Sequence, residues 1–144
     1  MWRRSTMWEP AGRRRGKRGD LRWACPHWTQ INALNRVYRG INSDDWRDLL
    51  DSGYIRTDKK LTEGPSFALT AAMALSYVQV GSDNPRRTGR PIYLLEVSRS
   101  DRMQKVRRGY DYVIASGPVP VSEITAVWRF EPDGSVWQSH TLGL

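Results

Sequence analysis

The last third of the chain most constrains the fold. Residues 92–97 (Ile-Tyr-Leu-Leu-Glu-Val), 110–115, 124–130 and 135–138 are short runs of β-branched, aromatic and aliphatic residues, with no helical pattern between them. Pro132-Asp133-Gly134 joins the last two as a hairpin signal. Residues 92–97 are apolar at nearly every position, so both faces of that strand are expected to be covered and the strand to be central. Strands that follow one another without helices predict an α+β domain rather than a doubly wound parallel sheet.

Helices are expected upstream of these strands. Residues 37–41 (Val-Tyr-Arg-Gly-Ile) read as a first strand. Ser43 then serves as N-cap, Asp44 and Asp45 occupy the dipole-favoured first turn, and Trp46, Leu49 and Leu50 form one apolar stripe before Gly53 stops the helix. The spacing predicts a helix over 44–52 and a short extended segment over 54–56. Residues 66–69 read as a strand, and Thr70 caps a second helix over 71–80 with Ala74, Leu75 and Val78 inward. Residues 81–91 and 99–109 read as exposed loops.

The length of 144 residues fits one domain. The net charge of +8 is unevenly spread: residues 1–30 hold eight basic and two acidic side chains, a net +6, while the remainder carries only +2. The expectation is a flexible, disordered basic arm over 1–30 and a domain over 31–144. Such an arm suits nucleic-acid backbones through counterion release, or is only a solvated tail, or lies upstream of a native start at Met7. Its four tryptophans, Trp2, Trp8, Trp23 and Trp28, either stack on bases or pack the arm onto the domain. No run approaches the roughly 18 apolar residues of a membrane span, so no membrane contact is expected. One cysteine, Cys25, fits a reducing, cytoplasmic setting, and with His27 and His140 it makes no metal-ligand pattern. A monomer is expected.

Three stretches together resemble the ADP-ribosyltransferase superfamily. They are Val37-Tyr38-Arg39-Gly40, then Ser66-Phe67-Ala68-Leu69-Thr70 running into Ala74-Leu75-Ser76-Tyr77, and Val113-Ile114-Ala115-Ser116-Gly117-Pro118-Val119 leading to Ile124-Thr125-Ala126-Val127. The resemblance spans nearly all of residues 37–130. It implies a small split β-sheet core with two or three helices, NAD as co-substrate, and transfer of ADP-ribose to a protein or nucleic-acid acceptor. The small size and the Arg/Trp-rich composition suit a phage or toxin-like protein.

Breaking the nicotinamide–ribose bond of NAD builds positive charge on the ribose, as in glycoside hydrolysis. The site therefore needs a cation for the diphosphate, a pocket for nicotinamide and an anion beside the ribose. Arg39 is the candidate for the first role, because a guanidinium grips phosphate oxygens in pairs. Tyr38, Gly40, Ser66, Phe67 and Tyr77 complete the expected NAD contacts. Ser66 supports Arg39, lines the pocket or satisfies local backbone. Tyr38 and Tyr77 stack on nicotinamide or pack in the core.

The family's late strand carries a glutamate where this chain has Tyr112, with Asp111 one residue earlier as the catalytic candidate. Glu96 can face either way from mid-strand, and Glu123 is expected in a turn. Relatives that act on RNA 2′-phosphates use basic residues instead, but His27 and His140 lie outside the matching positions. The competing expectation is an inactive member of the fold, or an unrelated α/β module, that binds nucleic acid through residues 1–30.

Overall fold

The computed structural model describes residues 1–10, 23–25, 35–57, 64–79, 82–105 and 112–140. Its strands, in chain order, are β1 (Arg3–Arg4), β2 (Glu9–Pro10), β3 (Trp23–Ala24), β4 (Arg36–Ile41), β5 (Tyr54–Ile55), β6 (Ser66–Ala68), β7 (Ile92–Ser98), β8 (Met103–Lys105), β9 (Tyr112–Ala115), β10 (Val119–Pro120), β11 (Ile124–Phe130) and β12 (Val136–Ser139). The helices among the described residues are α1 (Ser43–Ser52), α2 (Ala71–Gln79) and the single turn α3 (Pro85–Thr88). The domain is α+β, and each described strand pairing is antiparallel.

Eight strands form one sheet in the order β1-β12-β11-β7-β4-β6-β9-β8. The pattern of residues 92–97 is realised at its centre. Strand β7 lies between β4 and β11; Ile92 and Leu94 face one side and Tyr93, Leu95 and Val97 the other. Helix α2 covers the first side with Ala71, Ala74, Leu75 and Val78. Helix α1 covers the second with Trp46 and Leu49. Each fully buried leucine, isoleucine or valine contributes roughly 1.5–3 kcal/mol.

The sheet almost divides at its middle. Strands β4 and β6 share the single residue pair Tyr38–Ala68, whereas β4 pairs with β7 over six residues. The split core expected from the sequence is thus one continuous sheet with a narrow junction, and β4 and β6 diverge beyond it.

Local signals explain both helices, with one correction. Asn42, not Ser43, caps α1: its side-chain oxygen accepts the Asp45 N–H at 2.8 Å, while Ser43 enters the helix and donates to the Pro91 carbonyl at 2.6 Å. Gly53 ends α1 with φ 78°, a left-handed conformation that favours glycine. Thr70 Oγ1 accepts the Met73 N–H at the start of α2. Glu123 stands in the 3-10 turn Val121–Glu123, as expected, and accepts from Arg102 at 2.6 Å.

The expectation of a disordered arm does not hold for residues 1–10 and 23–25. Strand β1 extends the sheet along β12, and Trp8 and Trp23 are buried edge-on against Phe130, at centroid distances of 5.3 and 5.2 Å. Trp2 packs on the opposite face, against Trp46 and Tyr93. The domain therefore begins before residue 31. Of the two expectations for the tryptophans, packing onto the domain holds for Trp2, Trp8 and Trp23, whose apolar area outweighs the neighbouring charge where they meet the sheet. The arginines at 13–15 and 18 and Trp28 lie outside the described residues. Residues 99–109 are not all loop either, because Met103 is buried in β8.

Candidate functional site

A pocket of about 400 Å³ opens where β4 and β6 part. Its walls include Arg39, Gly40, Ser66, Phe67, Tyr77 and Tyr112, with Asn42, Asp45 and Asp83 at the end of β4. The volume lies in the usual range for small-molecule sites.

Arg39 is held across the gap in the sheet. Its Nη1 donates to the Ser66 carbonyl at 2.7 Å, and its Nε is buried without a hydrogen-bond partner among the described residues. Burial lowers its pKa, with Asp45 pulling the other way, but a guanidinium stays charged at any physiological pH. An under-partnered, desolvated cation on a pocket wall favours an anionic ligand.

The residues expected to contact a cofactor divide into two groups. Ser66 is exposed on the wall and Tyr77 stands at the rim, 66% exposed. Phe67 borders the cavity but is 1% exposed and belongs to the core on the α1 side. Tyr38 does not offer its ring for stacking: it is fully buried, and its hydroxyl donates to Glu96 Oε2 at 3.1 Å. Gly40 has a packing role. A Cβ there would stand 2.3 Å from Val78 Cγ2 and 2.6 Å from the Ala74 carbonyl, so the missing side chain lets α2 lie directly on β4. Asp111 lies outside the described residues.

Glu96 faces the α2 side, behind Tyr38. It also accepts from Thr125 Oγ1 at 2.7 Å, and Arg36 Nε stands 3.9 Å from its Oε1. The register of β11 shifts between Ile124 and Ala126, and this irregularity carries the Thr125 hydroxyl to the carboxylate.

Sequence reasoning missed Asn42, Asp45, Asp83 and Tyr112 as pocket residues. Asp45 was explained by the helix dipole and Asp83 by its loop, and those structural reasons hid their second position. Asn42 ties them together: it caps the Asp45 N–H and its amide lies 3.5 Å from Asp83 Oδ1. Burial raises the Asp45 pKa; Arg39 opposes this, while Asp83, Asp48 and Asp44 add to it. Among the described residues no three of His, Cys, Asp and Glu are grouped to hold a metal ion, and no helix is long and apolar enough to cross a membrane.

No family model, curated protein or solved structure matches this chain.

Proposed function

We propose that the pocket binds NAD and transfers its ADP-ribose to an acceptor, in the manner of the ADP-ribosyltransferases that the sequence resembles. One observation carries this reading. Arg39 from the first of the resembling stretches, and Ser66 and Tyr77 from the two ends of the second, border a single cavity. Arg39 suits a diphosphate, because a partly desolvated guanidinium gains most from an ionised partner. Tyr77, exposed at the rim, suits stacking on a planar ring.

The competing reading, a nucleic-acid module, loses part of its basis because Trp2, Trp8 and Trp23 are packed on the domain. It rests on the arginines at 13–15 and 18.

Incubation with adenylate-labelled NAD, together with protein and nucleic-acid acceptors, separates the two. The transferase reading expects nicotinamide release and label transfer, both abolished by Arg39→Ala. No NAD consumption, with salt-sensitive nucleic-acid retention lost on Arg13→Ala, Arg14→Ala and Arg15→Ala, supports the module and contradicts the transferase. Point substitutions are used because residues 1–10 and 23–25 are built into the domain.

A further inference from the structure

We infer that Asp45 is the carboxylate that faces the developing ribosyl cation, a role the sequence left to Asp111. The inference rests on the NAD reading of the pocket.

On β9, Tyr112 borders the cavity where a late-strand carboxylate was expected, so that position brings no carboxylate to the pocket. The carboxylates that border the cavity among the described residues are Asp45 and Asp83. They differ in constraint. Asp83 lies within reach of the Asn42 amide. The Asp45 carboxylate takes part in no hydrogen bond or ion pair among the described residues, yet its backbone is fixed by the Asn42 cap at 2.8 Å. It is thus positioned by a rigid helix end and left available.

The charges around Asp45 suit the role. Asp44 and Asp48 stand on its own helix, Asp83 on the facing loop and Arg39 on β4. Arg39 is near enough to act on Asp45 by Coulomb attraction, but the two form no ion pair, so the Asp45 charge is not cancelled by contact. Burial and the neighbouring carboxylates leave it above its ordinary value, where a carboxylate is a stronger base.

The step balances as follows. The ribose C1′–nitrogen bond breaks and its electron pair stays on nicotinamide, which discharges the pyridinium. Positive charge develops at C1′ beside Asp45. A lone pair on the acceptor oxygen or nitrogen forms the new bond to C1′, and the acceptor's proton passes to the Asp45 carboxylate and on to water.

Single-turnover nicotinamide release and equilibrium NAD binding on Asp45→Asn, Asp45→Glu and Asp83→Asn test this, with thermal melts showing that each variant folds. Asp45→Asn is expected to bind NAD within threefold of the wild type and to release nicotinamide 10²–10³-fold more slowly, the usual loss when a preorganised charge is removed from a reacting centre. Asp45→Glu recovers part of the rate, and Asp83→Asn loses less than tenfold. If Asp45→Asn turns over NAD as fast as the wild type, the assignment of Asp45 falls while the NAD reading stands. A loss confined to binding makes Asp45 a holder of ribose hydroxyls and overturns the catalytic role. Wild-type protein that binds no NAD overturns both.

Discussion

Arg39 Nη1 donates to the Ser66 carbonyl at 2.7 Å and so bridges the gap that β4 and β6 leave in the sheet. The same side chain is the candidate ligand for a diphosphate. Arg39→Ala therefore loses two things: NAD turnover falls below detection, and stability falls by about 1 kcal/mol, because the site is partly solvated and only one charge-assisted hydrogen bond is removed. Arg39→Lys keeps the charge but loses the paired donor geometry, so it retains NAD binding weakened by tenfold or more. Denaturant titration and nicotinamide release check the two effects separately.

Gly40 sets the distance between β4 and α2. Gly40→Ala is expected to cost roughly 1–3 kcal/mol, the range for forcing extra atoms into a packed core. Val78→Ala does not restore it fully, because the Ala74 carbonyl, 2.6 Å from the new Cβ, is backbone and stays in place. Urea denaturation of the single and double variants measures this, and full recovery in the double variant would contradict the packing described.

The tryptophans near the N-terminus are expected to stabilise the domain. Trp8→Ala should cost roughly 3 kcal/mol, as for other buried aromatic truncations. Trp8→Phe should cost far less, since the Trp8 indole N–H is buried without a partner among the described residues and its removal relieves that cost. A disordered arm predicts no effect of either change on the unfolding midpoint.

Tyr38 and Glu96 form a pair behind the pocket. Glu96→Ala removes the carboxylate that accepts from both the Tyr38 and the Thr125 hydroxyls, and is expected to cost roughly 1–3 kcal/mol. Tyr38→Phe alone costs less, and the double variant falls short of the sum, because the Tyr38–Glu96 hydrogen bond can be lost only once. Tyr38→Phe leaves KM for NAD unchanged, whereas Tyr77→Ala at the rim raises it.

The pH profile follows from Asp45. Its carboxyl is raised above the ordinary 3.8 by burial. The folded state thus holds that proton more tightly than the unfolded chain does. This group favours folding most at low pH, and the advantage is lost as pH rises through its folded pKa. Asp45→Asn is accordingly expected to be neutral or slightly stabilising at pH 7, with the gain vanishing below pH 3.8. Nicotinamide release rises with pH on a limb above 3.8, and that limb is absent in Asp45→Asn.

The longer strands and both long helices were legible along the chain because their signals are local, whereas the order of the strands in the sheet was not. Residues 92–97 read as a central strand from composition, and Gly53 and Thr70 marked helix ends. The meeting of Arg39, Ser66 and Tyr77 was legible only as an ordered set of motifs. What alternation could not decide was which side of the strand Tyr38 took, since β4 is covered on both faces. The Asp45 side chain was hidden because a helix-dipole role already explained it. Strand β1 was hidden because two arginines carry no apolar pattern, and their pairing with Trp137 and Gln138 depends on the distant strand β12.

The most direct measurement of the central claim is a structure with a non-hydrolysable NAD analogue bound. The expected result is diphosphate oxygens in hydrogen-bond contact with the Arg39 guanidinium and the nicotinamide ribose C1′ beside the Asp45 carboxylate. An analogue seated away from the gap between β4 and β6, or no binding at millimolar concentration, would contradict it.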